Sequence, residues 1–113
     1  MTHSMRLQAE PFFMIQSGQK TIELRLFDEK RRTIAVGDEI LFSHVETGDI
    51  IRCRVTALHP FPSFSVLYRE LPLLACGYTE QTVKDASPED MERYYSREEQ
   101  ARYGVLGIEI KVL

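Results

Sequence analysis

The stretch from Lys20 to Leu26, KTIELRL, constrains the fold more than any other part of the chain. Ile22, Leu24 and Leu26 alternate with Thr21, Glu23 and Arg25, the period-two pattern of a strand that buries one face. On such a strand Thr21, Glu23 and Arg25 stand in a row at intervals of about 7 Å. The row presents a hydroxyl, an acceptor and a forked donor. A glutamate accepts from the donor edge of a base, and an arginine holds a phosphate or carboxylate through paired bonds. The plain alternative is a solvated strand face, a common fate of alternating charge. Lys20 has the parity of the apolar residues, and an ammonium turned toward a core without a partner is costly. Either the strand begins after Lys20, or Lys20 stands at the mouth of a pocket.

The flanking segments supply the other elements. Met5-Arg6-Leu7 reads as a short first strand. Glu10 to Ser17 reads as a helix with Pro11 in its first turn and Gly18 at its end. Phe12, Ile15 and Phe13 are its expected core residues. Asp28 to Arg32 is a charged turn, and Val36-Gly37-Asp38 is a second turn before the strand Glu39 to His44. Thr47-Gly48-Asp49 leads into a strand from Ile50 to Leu58, with Ile51, Cys53, Val55 and Ala57 inward and Arg52, Arg54 and Thr56 outward. Ser63 caps a helix reaching Leu71, with Phe64, Leu67 and Leu71 at helical spacing. Ser87-Pro88-Glu89-Asp90 starts another helical segment, and Ser96 to Glu99 has capping-box form. Gly104 ends that helix, and Val105 to Val112 alternates as a closing strand with Leu106, Ile108, Ile110 and Val112 inward.

The 113 residues suit a single domain spanning 1–113. The element order predicts an α+β fold, a small, mostly antiparallel β-barrel or curved sheet with flanking helices. The N-terminus lacks the apolar core of a signal peptide, and no apolar run approaches the roughly 18 residues of a membrane helix, so a cytoplasmic protein without membrane contact is expected. Two distant cysteines and three scattered histidines show no ligand spacing, so neither metal nor cofactor is expected. A net charge of -3 argues against coating a long phosphate backbone. The excess of base over acid between Lys20 and Arg32 suits a short anionic ligand better.

No GxSxG, P-loop or HExxH motif is present. Thr21 beside Lys20 could pair a nucleophile with an amine only on an irregular backbone. Glu23 and Glu70 are the candidate catalytic carboxylates. Phe61, Phe64, Tyr94, Tyr95 and Tyr103 are candidates to stack on a base, though packing is the commoner role of such side chains.

GQKTIELR followed by DEKRRTIAVGDEILF resembles the ASCH domain, the activating-signal-cointegrator homology family of the PUA-like superfold. Gly18, Lys20, Thr21, Glu23, Arg25, Gly37 and Asp38 match its pattern in order and spacing, and LGIEI resembles its closing strand. The resemblance spans essentially the whole chain and is least diagnostic from Pro72 to Ser87. It implies a barrel with flanking helices and a cleft, lined by Lys20, Glu23 and Arg25, for single-stranded RNA, a nucleotide or a nucleoside. Thr21 and Arg31 are then secondary contacts.

One enzymatic branch of the family deacetylates acetylated cytidine. It has a threonine nucleophile where this chain has Glu23, and an assisting glutamate near the positions of Leu73 to Cys76. In a hydrolase acting on a modified nucleoside or on RNA, Lys20 and Glu23 would take the acid–base roles. A third reading is a protein-interaction adaptor.

Overall fold

Period-two segments, turn glycines and capping side chains fold as five strands and three helices in the computed structural model, which describes residues 1–113. In chain order these are β1 (Thr2–Leu7), α1 (Ala9–Gln16), β2 (Ile22–Leu26), β3 (Glu39–His44), β4 (Ile50–Phe61), α2 (Phe64–Glu70), α3 (Arg97–Tyr103) and β5 (Val105–Val112). Short 3-10 segments lie at Arg31–Thr33, Val83–Asp85 and Pro88–Arg93. No helix is long and apolar enough to cross a membrane.

The sheet order is β1-β3-β4-β5-β2. Only β1 and β3 run parallel; the other neighbours are antiparallel. The sheet curls into a half-barrel and leaves a seam between its edge strands, β1 and β2. This is the expected mostly antiparallel α+β fold, open rather than closed.

β1 begins at Thr2 rather than at Met5, because Asp38 anchors its start. The Asp38 carboxylate accepts from the Ala35 amide at 3.0 Å and sits 2.8 Å from His3 Nε2 and 3.2 Å from the terminal amine. These bonds, that to His3 foremost, hold the Asp38 pKa down at about 2.

Two apolar clusters divide the interior. The larger fills the concave face of the half-barrel and joins Met5, Ile40, Phe42, Val55 and Ile108 to Phe12 and Ile15 of α1. The smaller lies on the other face of β2 and β5, where Ile22, Leu24, Leu26 and Val105 meet Phe64 and Leu67 of α2 and Met91. β2 is therefore covered on both sides.

Three expected core positions differ. Phe13 is exposed, because α1 turns only Phe12 and Ile15 into the sheet. Ala57 gives its inward place to Leu58, because the register slips between Val55 and Ala57 and the bulge reverses the parity of β4. Val112 is exposed, because β5 runs past the edge of the core.

Ser63 accepts from the Val66 amide at 3.3 Å and starts α2. Ser96 and Glu99 form the expected capping box on α3, and Ser87 and Asp90 form another on the Pro88–Arg93 turn. The Ser87–Asp90 box lies within residues 76–95, a segment that lines the seam.

Candidate nucleotide-binding site

Glu23 pairs across the sheet with Ile108, and Arg25 pairs with Leu106. Register partners share a face, so the charged row of β2 lies on the concave, core-facing side of the sheet. The apolar row instead faces α2. The expected burial of one face and exposure of the other thus becomes two buried faces, with the charges at the open seam. Glu23 is only 3 % exposed.

Lys20 and Arg25 both converge on Glu23. Lys20 Nζ lies 2.7 Å from Glu23 Oε1. Arg25 donates to Oε2 from Nη2 at 2.8 Å and from Nε at 3.0 Å. Arg25 Nη2 also donates across the seam to the Arg6 carbonyl on β1 at 3.1 Å. Burial by itself would raise the Glu23 pKa, but the charges of Lys20 and Arg25 outweigh it and hold the carboxyl down at about 2. Arg25 is likewise held above its ordinary value: burial opposes this, and Glu23 and the neighbouring Tyr95 more than offset it.

The strand begins at Ile22, after Lys20, whose amide donates to Met14 O at 3.0 Å. Freed from strand parity, the Lys20 side chain runs along Gly77 into a cavity. A Cβ on Gly77 would stand 3.4 Å from Lys20 Cδ, and Gly77 has φ +112°, which favours glycine. Both alternatives left open by the parity of Lys20 are therefore realised together.

The cavity measures about 840 Å³, within the range of small-molecule sites. Its walls are the end of β1, α1, the charged row of β2 and residues 76–95. Four cations line it, Arg6, Lys20, Arg25 and Arg93, against four carboxylates, Glu10, Glu23, Asp85 and Asp90. A wall so balanced does not suit a run of phosphates.

Thr21 and Arg31 are not among the lining residues. Thr21 is exposed, and its backbone bonds to Ala75 and Ile110. Arg31 pairs with Asp28 at 3.0 Å. Glu70 is exposed and also lies outside the cavity. Of the aromatic candidates, Tyr94 and Tyr95 line the cavity, while Phe61, Phe64 and Tyr103 pack in the smaller cluster. Tyr95 also stacks on Phe64 with ring centroids 6.2 Å apart.

Several lining residues carried no functional signal in the sequence. Cys76 is one, but burial pushes its thiol up to about 11, so it is not a ready nucleophile. Tyr68, Tyr78 and Asp90 form a hydrogen-bonded chain along the wall made by residues 76–95, with both O···O distances 2.7 Å. Asp90 was visible only as part of a helix start. No group of three potential metal ligands occurs in the structure, and both cysteines are free and buried.

Comparison with known proteins agrees with this architecture. The sequence model for the ASCH domain matches residues 5–113. The crystal structure of a hypothetical protein, PH0355, is 33% identical with a TM-score of 0.82 and full coverage of both chains. The solution structure of protein PF0455 from Pyrococcus furiosus is 34% identical with a TM-score of 0.76, covering 100% of this chain and 98% of that one. A variant of the Zymomonas mobilis ASCH protein shares the fold at 15% identity and a TM-score of 0.66, over 96% of this chain and 67% of that one. No curated protein matches.

Proposed function

This chain belongs to the ASCH domain family, and on that premise we propose that its seam cavity binds a nucleotide, either free or as part of single-stranded RNA. The observation that carries the reading is the buried Lys20–Glu23–Arg25 cluster lining a cavity of about 840 Å³. Lys20 and Arg25 engage a phosphate or a carbonyl edge. Two of the three Lys20 protons remain for a ligand after its bond to Glu23 is made, and Arg25 lines the cavity beside Tyr95. Glu23 has both oxygens engaged, so it orients the two cations rather than reading a base. Thr21 and Arg31 support the site from outside the cavity. A cytosolic setting belongs to the same proposal.

A carboxylate clamped between two cations and held at a pKa of about 2 is a poor proton acceptor. This favours binding over a hydrolase in which Glu23 is the base. The test is a chemical-shift titration with a panel of nucleosides, nucleotides and short RNAs. Lys20→Ala and Arg25→Ala are each expected to weaken binding about tenfold or more, the effect of losing a charged hydrogen bond. Unchanged affinity in folded variants would refute the assignment. Turnover of acylated nucleosides or RNA, lost in Lys20→Ala, would establish the hydrolase instead. Silence across the panel, with a protein partner bound even without the charged row, would establish the adaptor.

A further inference from the structure

We propose that Asp90 is the acceptor through which the cavity reads a hydrogen-bond donor, an amine or a hydroxyl, on a nucleotide-like ligand. The proposal rests on the seam cavity being the binding site, and it adds a specificity residue on the part of the wall made by residues 76–95.

The protons of the Tyr68–Tyr78–Asp90 chain have one consistent arrangement. Tyr78 donates its single proton to Asp90 Oδ2 at 2.7 Å. Its hydroxyl oxygen can then only accept from Tyr68, also at 2.7 Å. The Ser87 amide donates to the same Asp90 oxygen at 3.2 Å. Two donors therefore converge on Oδ2, while Oδ1 accepts from no protein group.

Asp90 is also fixed in place. It sits in the capping box of the Pro88–Arg93 turn, and the tyrosine chain ties that turn to α2 through Tyr68. The two bonds, that of Tyr78 first, hold its carboxyl below the usual range and keep it ionised. The chain thus presents acceptors, Asp90 Oδ1 and the spare lone pair of Tyr68, both on cavity-lining residues. Lys20 and Arg25 line the same cavity and present donors to it. A ligand with an acceptor or anion at one end and a donor at the other satisfies both. A polyanion satisfies only one, and it would meet Asp85 and Asp90 as like charges.

The experiment measures affinity by titration for pairs of nucleoside 5′-monophosphates that differ in one donor. Adenosine against purine riboside, and cytidine against pyrimidin-2-one riboside, test an amine, because each second member lacks the amino group and keeps the ring acceptor beside it. Adenosine against its 2′-deoxy and 3′-deoxy forms tests a hydroxyl. The wild-type chain is expected to lose about tenfold or more in one of these comparisons. Asp90→Asn keeps an oxygen for Tyr78 and Ser87 but places an amide donor where Oδ1 stood. It is expected to abolish or invert that preference. Tyr78→Phe is expected to narrow the preference, since it releases Asp90 without removing its charge.

A preference that survives in folded Asp90→Asn, or a wild-type chain that discriminates in no comparison, overturns the proposal. Binding that needs Lys20 and Arg25 yet ignores Asp90 overturns this assignment alone. A wild-type chain that binds no probe overturns the seam-cavity reading with it.

Discussion

Glu23 has two cations against it and almost no water, so its protonation is coupled to folding. Its folded pKa of about 2 lies below the ordinary value of 4.5. A depressed carboxyl contributes stability that is fully present above its unfolded pKa and is lost as pH falls through the folded one. Glu23→Gln removes that contribution and leaves Lys20 and Arg25 buried without a counter-charge. Removing one partner of a buried ion pair costs about 3–5 kcal/mol. Urea unfolding at neutral pH is expected to show a loss of that order, and the gap to wild type is expected to narrow between about pH 5 and pH 2. A constant gap across that window would mean that folding does not shift the Glu23 pKa. The identities of Lys20, Glu23 and Arg25 were legible in the sequence, because charged residues at fixed spacing can be read there. Their convergence was not. On an ideal strand Lys20 and Glu23 point to opposite faces, and they meet only because the strand starts at Ile22.

Among the elements, residues 76–95 decide whether the seam is a groove or a cavity. The segment follows α2, and at Gly77 its left-handed backbone turns the chain past the Lys20 side chain. Gly77→Ala is expected to destabilise by about 1–2 kcal/mol, the cost of φ > 0 for an L-residue. It should also weaken ligand binding, because relief of that strain shifts the backbone along which the Lys20 side chain lies. Ser96→Ala offers the contrast: loss of the α3 cap costs about 1 kcal/mol, with binding unchanged because Ser96 does not line the cavity. Thermal melts paired with titrations separate the two. Equal effects of both variants on affinity would show that binding follows global stability rather than the position of Lys20. The helix starts here were legible from Ser63, Ser87 and Ser96, because caps act within one turn. The path of Pro72 to Ser87 was not, since it is set by Tyr68, Tyr78 and Asp90 meeting across the chain.

For the whole molecule, the two apolar clusters lie on opposite faces of shared strands. β5 contributes Val105 to one and Ile108 to the other. Such sharing predicts a single cooperative unfolding transition. The five tyrosines, Tyr68, Tyr78, Tyr94, Tyr95 and Tyr103, and no tryptophan make this testable. Tyr68, Tyr95 and Tyr103 pack against the smaller cluster, and Tyr78 and Tyr94 lie beside it in the cavity wall. Tyrosine fluorescence therefore reads that side, while far-ultraviolet circular dichroism reads the sheet. Coincident urea midpoints are expected, and separated midpoints would show that the clusters unfold independently.

By itself the sequence determined the strands, the caps, the α+β class and which side chains of β2 travel together. Each of these depends on residues a few positions apart, where alternation and turn chemistry act. Only the tertiary structure decided which face of β2 is the inner one. That choice follows from β2 pairing with β5 at the edge of the sheet and from α2 covering its apolar row. Period two says which residues share a face and is silent on what the face meets. The seam between β1 and β2 supplies the answer, an unclosed edge where three charges can be buried because they satisfy one another.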